Sequence, residues 1–490
     1  MRGPIASTFR VPLCLAVLLV SGCAAFPPAR DIDTSVAPSS GTPWQPPPEA
    51  RPTPPPTPVP AIPPEYLKPG ATLTLPQILD VALRNNPLTK TAWYQARSAA
   101  AGVGSKRSEW FPSLELDGNL TRQKQTVNGS TGRFTLLQTT YGPSLTLNFL
   151  LFDFGGRSAD VEEARQALYV ANWSHNAAIE DTILLVERQY YAYLNAKAQA
   201  AAAEISLKEA QESLNAANAR HDAGVATIAD VLQAKTAASQ AELALETAQG
   251  QVQTIRGALA TALGVPANLP VEAGELPENV EVDRTIGTVD DFIAQAQSQR
   301  PDLAAARLAV EKAQAHVRSV RAEGLPRLSA VGAISRPYFY GPDRTVHADN
   351  YSGSILFRFP LFTGYQTTYD TLQAKEDVHV AREQAQTLED QVLLQVWTSY
   401  YNLKTSAAQV KTAQDLLASA SQSQEVAVGR YKSGVGTILD LLTAQTAYAS
   451  ARAQEAQARA NWFLSVAQLA HDTGSLTQAQ APATPAAQEK

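Results

Sequence analysis

Two short stretches carry the side chains best placed for electrostatic work. Gly224-Val225-Ala226-Thr227-Ile228-Ala229-Asp230 and Gly434-Val435-Gly436-Thr437-Ile438-Leu439-Asp440 each end on a carboxylate three residues after a threonine and six after a glycine. Glycine gives the backbone freedom for a tight reversal, and a carboxylate just beyond it holds negative charge at the head of the next helix. Asp440 reads on this pattern as a helix-capping or solvated charge. Tyr431 brings a phenolic hydroxyl to the same turn. Catalytic chemistry finds no comparable support. The six histidines, at 175, 221, 316, 347, 379 and 471, show no HExxH or other metal-ligand spacing and read as packed or solvated residues. Asp153-Phe154-Gly155-Gly156-Arg157 lacks the Gly-Lys-Ser/Thr ending of a phosphate loop and reads as a strand-to-helix corner. These residues predict no enzyme, no metal and no cofactor.

Cysteine use is as narrow. Arg2 and Arg10 accompany the apolar run Leu13 to Val20, which has the form of a secretory signal and is too short to span a bilayer. Leu19-Val20-Ser21-Gly22-Cys23 follows. It resembles the bacterial lipoprotein signal, in which residues 1–22 are removed and Cys23 is diacylated as the new N-terminus. Of the two cysteines, Cys14 lies inside that signal, so the mature chain keeps Cys23 alone and has neither an intrachain disulfide nor a multi-cysteine metal site. Ala24, where an aspartate would retain the product at the inner membrane, resembles outer-membrane sorting. The formal net charge is −6, with Lys and Arg scattered among Asp and Glu, which excludes nucleic acid as a partner.

Between the ends the chain is duplicated. Asn86-Pro87-Leu88 is echoed by Arg300-Pro301-Asp302-Leu303, and Phe111-Pro112-Ser113-Leu114 by Leu325-Pro326-Arg327-Leu328, at a separation of 214. Phe149-Leu150-Leu151-Phe152 matches Phe359-Pro360-Leu361-Phe362, and the two glycine turns match each other, at 210. Four landmarks in one order mean internal repetition. The organisation expected is a Pro-rich tether over 23–64, a first repeat over 65–270, a connection over 271–300, a second repeat over 301–474 and a tail over 475–490. Each repeat reads helix, two strands, long helix, tight break, helix.

The strands are the informative part. Leu114 to Thr121 alternates Leu, Leu, Gly, Leu on one face with Glu, Asp, Asn, Thr on the other, and segments 143–149 and 351–359 repeat the alternation, with 328–335 weaker. Trp110, Phe111, Phe152, Phe154, Tyr338, Phe339 and Tyr340 gather at strand ends, as rings do at a lipid headgroup boundary. In lipid every backbone group must pair, and four strands cannot close a barrel alone. Copies of the chain must share one; three copies give twelve strands, and symmetry alone would also permit four copies. The long helices, about 157–222 and 366–432, each reach about 100 Å at 1.5 Å per residue, while the shorter ones, placed end to end, nearly match them. Such lengths build a tube wall.

Duplicated strand-helix units, the lipoprotein signal and the Gly-Val-x-Thr-Ile-x-Asp turns together resemble the TolC-like outer membrane factors, in particular their OprM-like lipoprotein branch, over about residues 65–475. The resemblance implies an α/β outer-membrane channel: a homotrimeric twelve-stranded β-barrel, four strands per protomer, continued by a long periplasmic α-helical barrel. It further implies a lipid-anchored exit duct, joined through a periplasmic adaptor to an inner-membrane pump and passively conducting solutes such as drugs or metal ions. An outer-membrane channel for type I protein secretion is the alternative within the class, and a periplasmic coiled-coil adaptor or structural lipoprotein the alternative outside it. At the tips, Gly224, Val225, Ile228, Gly434, Val435 and Ile438 would pack the hairpin seam or meet the adaptor. At the gate, Tyr431 would bond Asp230, and Asp440 would form an acidic ring. Gly436 and Thr443 depart from the family's best-known member, which has an arginine and a second ring aspartate there.

Overall fold

The computed structural model describes residues 72–129, 132–277, 280, 287–340 and 345–476. Cys23, the signal and the 23–64 tether lie outside the described residues, as does the tail beyond 476. The described residues fall in one unit, Pro60–Lys490.

The first repeat comprises α1 (Leu75–Asn85), α2 (Pro87–Ser108), β1 (Ser113–Gly129), β2 (Gly132–Phe152), α3 (Gly156–Asp222) and α4 (Ile228–Ala262). The second comprises α5 (Val289–Gln299), α6 (Pro301–Glu323), β3 (Arg327–Ser335), β4 (Tyr338–Tyr340), β5 (Thr345–His347), β6 (Asn350–Arg358), α7 (Gln366–Lys432) and α8 (Ile438–Asp472). Helices α1 and α5 are not among the elements expected from the repeat landmarks. Each is nonetheless heralded by a capping box, Thr74 with Gln77 and Thr288 with Asp291, in which the N-cap and third-residue side chains satisfy each other's backbone amides.

Strand β1 pairs with β2 over its whole length, from Ser113 opposite Asn148 to Gly129 opposite Gly132, well beyond the spans that alternation marks. On its other edge β2 pairs with β3, and past a bend at Arg336 and Pro337 with β4. The bend sits where it does because β2 offers Gly142 there, whose missing Cβ would strike the Arg336 carbonyl. β6 pairs with β3 and β5 with β4, so the six segments amount to the four expected strands, the second repeat's two being broken midway. The far edges of β1 and β6 have no ladder partner among the described residues. Along β1, Leu114, Leu116 and Leu120 stay 63–76% exposed, an apolar face with nothing of this protomer over it.

Helices α3 and α7 are 67 residues each. Near the strands α3 contacts α2 and α6; toward the far tip it contacts α4 and α8. α7 meets α6 and then α8 in the same way. Two short helices must therefore butt together beside each long one. At the first junction Asn86 caps α2 by accepting from Leu88 N at 2.8 Å, while its amide donates to the Ala262 carbonyl ending α4 at 2.9 Å. Gly264, at φ 74, lets the α4 end approach, since a Cβ there would lie 2.7–2.8 Å from Asn85 and Asn86 backbone atoms. At the second junction Arg300, 7% exposed, donates to the Asp472 carbonyl ending α8, to Gln395 of α7 at 2.7 Å and to the Asp302 carboxylate, while Gly474, at φ 73, repeats the role of Gly264. His471 joins Asp472 at 3.0 Å and Asp181 of α3 at 2.9 Å. Burial opposes its charge, yet these two carboxylates carry it up to about 9, so it is an ion-paired clasp rather than a merely packed histidine.

The main core lies at this level and draws on both repeats: Ile78, Val81, Ile183, Val186, Tyr193, Leu259, Leu263 and Ala467 are buried together. Tyr193 donates to Glu272 at 2.8 Å and Lys197 to the Ala273 carbonyl at 2.9 Å, binding the connection to α3. Glu187 is a misfit here, 7% exposed with Oε2 unpartnered. Burial alone raises it from 4.5 to about 7.

Where the chain leaves the barrel, Phe154 and Gly155 adopt φ 52 and 94. The Asp153 carboxylate accepts from Arg157 N at 2.6 Å; the Arg157 guanidinium donates to the Glu109 and Leu151 carbonyls and lies 4.4 Å over Trp110. The expected strand-to-helix corner is thus held by a buried arginine. Its counterpart, with Gly364 and Tyr365 at φ 64 and 66, uses the Thr363 and Thr367 hydroxyls, 3.3 Å apart.

Two outcomes follow for stability in detergent. Gly264→Ala should lower the thermal midpoint well beyond Gly224→Ala: both carry positive φ, costing roughly 1–2 kcal/mol for a residue with a Cβ, but only Gly264 faces backbone at clash distance. Equal shifts would contradict the junction's role. Because the folded state holds Glu187 above its ordinary value, the carboxyl favours folding below 4.5 and loses that contribution as pH rises to about 7. Glu187→Gln should therefore melt higher than the parent at pH 8, with the gap narrowing toward pH 4.5; a constant gap would sink the assignment.

Candidate functional site

The repeats converge again at the tips. α3 ends at Asp222, the Gly224 and Val225 amides fold back onto the His221 and Arg220 carbonyls at 2.8 and 2.9 Å, and Gly224 takes φ 78. Gly434 does the same at φ 84. Thr227 and Thr437 then start α4 and α8. Both turns use the positive φ that glycine supplies without strain.

Asp230 and Asp440 are each the third residue of a capping box. The Asp230 carboxylate accepts from Thr227 N at 2.9 Å, and that of Asp440 from Thr437 N at 3.2 Å; each aspartate's amide donates back to the threonine hydroxyl, at 3.3 and 3.1 Å. The Thr437 hydrogen bonds hold Asp440 below the usual carboxylate range, so it stays ionised and exposed at the mouth of the tip. Of its two readings, capping is realised within the chain, and an outward charge remains.

Tyr431 is 4% exposed, packed with Ala217, Ala234, Ile438 and Leu441. Its hydroxyl is buried without a hydrogen-bond partner, so the bond to Asp230 that the resemblance implies is not made within this protomer. The physical reason is that the Asp230 carboxylate turns back to its own helix end. Burial and the Asp230 charge hold the phenol above its ordinary value against the opposing pull of Arg220. Tyr431 is tied instead through Arg220 of α3, which donates to the Tyr431 carbonyl at 2.7 Å and stacks 4.9 Å over the ring. Sequence reasoning missed Arg220. The signal was its repeat partner: Arg220 and Arg430 stand 210 apart, each just before a ring, His221 or Tyr431.

Ile438, at 3% exposed, fills the seam, whereas Val225, Ile228 and Val435 remain 58–71% exposed and available to another surface. Gly436 donates to the Arg430 carbonyl at 3.0 Å, and a Cβ there would lie 3.1–3.2 Å from Arg430 and Tyr431 atoms, a tight fit. Thr443 is exposed one turn beyond Asp440. Among the described residues there is no group of His, Cys, Asp or Glu able to hold a metal, and no helix long and apolar enough to cross a membrane. The apolar strands carry the surface that lipid could cover.

A profile described as "Outer membrane efflux protein" matches the chain twice, over residues 78–265 and 292–475, once per repeat. The chain belongs to the outer membrane efflux protein family. It is similar to protein CyaE of Bordetella pertussis, 28% identical over 78% of this chain and 79% of that one, and to the outer membrane efflux protein BepC of Brucella suis, 24% identical over 83% and 86%. The fold matches the CmeC outer membrane channel of Campylobacter jejuni with a TM-score of 0.74 at 19% identity, over 82% of this chain and 85% of that one. Family membership makes this a non-catalytic outer-membrane channel protein of the efflux class, with four barrel strands per protomer and a helical barrel beyond them.

In this efflux-family tip, Arg220→Ala should speed hydrogen exchange of the amides around 427–441, since about 1–2 kcal/mol of hydrogen bonding and ring stacking is lost. Tyr431→Phe, which removes only an unpartnered hydroxyl, should leave exchange nearly unchanged. The opposite ranking would show that the hydroxyl, not the arginine, holds the tip.

Proposed function

We propose that three copies of this chain form the outer-membrane exit duct of a tripartite efflux system, passively conducting solutes such as drugs or metal ions. The observation that carries this reading is that the protomer has two open edges that suit each other. Among the described residues the outer edges of β1 and β6 lack ladder partners, and an open edge is not tolerated in lipid. The helical edges agree in height. On α4, Leu232 and Leu243 lie four and fifteen residues from the tip end, 55% and 70% exposed; on α7, Val426 and Leu416 lie six and sixteen residues from it, 61% and 43% exposed. At 1.5 Å per residue these levels differ by about 3 Å or less, so a second copy's α7 can meet α4 with apolar residues at two matching heights. Closing the ring with three copies encloses a passage walled by the wet faces of the strands.

Cys23 carries the lipid in this reading, as in the OprM-like branch, and adds an anchor to the barrel. The turns at Gly224 and Gly434, with exposed Val225, Ile228 and Val435, receive a periplasmic adaptor, which connects the duct to an inner-membrane pump; Ile438 supports that surface from beneath. Asp440 supplies three ionised carboxylates near the axis, while Asp230 and Tyr431 set the packing behind them. Carboxylates close together in a narrow passage attract cations and repel each other.

The test is conductance in a planar bilayer with mass measured in detergent. A three-chain particle should give cation-preferring channels that divalent or trivalent ions block from the periplasmic side, and Asp440→Asn should lose both preference and block. Unchanged selectivity and block would remove Asp440 from the passage; a stable single-chain particle would overturn the duct itself.

A further inference from the structure

The chain contains one finished joint between repeats, and the repeat offsets allow it to be copied onto the open edges. In the internal joint β2 pairs with β3, setting Leu145 opposite Ile334, Leu147 opposite Gly332 and Asn148 opposite Val331. β6 follows the lower part of β2 by 210 positions, and β1 precedes β3 by 214. Resting on the trimeric reading above, we propose that β6 pairs with β1 of the partner subunit in the register of the internal joint, with Arg358 opposite Asp117 of the partner subunit. Ile355 then meets Leu120 of the partner subunit, and Phe357 lies across Gly118 of the partner subunit.

Three observations carry this register. The faces agree: Ile355, Phe357 and Leu120 are 72%, 65% and 63% exposed on the apolar face, while Arg358 and Asp117 alternate to the wet one. A slip of one residue would set apolar against polar along the whole edge. The charges agree as well. Inside the chain Arg358 stands directly opposite Arg327, a like-charge cross-strand pair that is unfavourable by itself. Neither arginine, nor Asp117, has an ion-pair partner among the described residues. A carboxylate on the open flank of Arg358 offsets the repulsion. Third, the helices repeat the arrangement independently: Ser319 of α6 donates to Asp160 of α3, and the same offsets lead to Ser105 of α2 and Asp370 of α7, a serine and an aspartate again. Ser105 is exposed and Asp370 half-buried, and among the described residues neither side chain has a hydrogen bond inside the protomer that would compete.

Slips of two residues keep the faces matched. In one direction Arg358 meets Asn119 of the partner subunit, which carries no charge; in the other it meets Glu115 of the partner subunit, another carboxylate, so charge alone does not choose between Asp117 and Glu115 and the repeat does. Cysteine pairs separate the two, because directly opposite residues have Cβ atoms about 5 Å apart and residues two positions off about 7–8 Å, beyond disulfide reach. Oxidised membranes carrying Arg358→Cys with Asp117→Cys should show reductant-sensitive two- and three-chain bands, absent from either single variant and from Arg358→Cys with Glu115→Cys. Bands from the Glu115 pair instead, or from neither pair while light scattering reports three chains, would overturn the register and leave the trimer standing. A one-chain mass for the parent would overturn both. Should the cysteine variants assemble poorly, charge exchange reads the same contact: Asp117→Arg and Arg358→Asp each lower trimer yield, and together restore it. Failure of the double exchange to recover yield, with the singles impaired, also counts against the pairing.

Discussion

A backbone amide in lipid has no partner except another strand, and that constraint shapes the chain from β1 to α8. Each repeat supplies two strands, which leaves the protomer with a paired interior and two bare edges. Closure has to come from other copies, so the barrel is a property of the assembly, not of the protomer. The exposed leucines of β1 and the unpaired edge of β6 are the same requirement seen from the side chains and from the backbone.

Beyond the barrel the wall must continue without a gap, although the chain enters and leaves each strand pair and breaks at each tip. One continuous helix per repeat solves half of that. The other half is assembled from two pieces, and polar groups gather at the joint between them. A helix end exposes carbonyls and the next helix start exposes amides. Asn86 satisfies one of each at the first junction, while Arg300 and Asp302 bind the second with His471 and Asp181 alongside. Gly264 and Gly474 let the ends approach closely enough for this to work. The main core lies at the level of these junctions, so the wall is packed where it is pieced together.

At the tips capping sets the local geometry. The hydrogen bonds from Thr437 fix the Asp440 carboxylate in place and keep it ionised. Tyr431 packs where the two hairpins meet, and Arg220 ties them through backbone and ring together. The tip is therefore held within a protomer by packing and one arginine, while its aspartates are engaged in capping their own helices.

The sequence by itself determined the duplication, both 67-residue helices, the glycine turns and the alternation of the strands, because each is written as a local period or a repeated landmark. It also carried the capping boxes at Thr74 and Thr288, whose helices escape a reading built on the repeats. Strand length was not legible: β1 and β2 run on past the alternating stretch because pairing with each other continues where the side chains stop alternating. Only the tertiary structure decided that Asn86 and Arg300 splice helices, that Arg220 rather than Asp230 engages Tyr431, and that Ile438 is buried while Ile228 is not. Each of those contacts joins residues more than 170 positions apart or depends on which face a neighbouring helix covers. Such information lies in how the two repeats meet, and no local pattern records it.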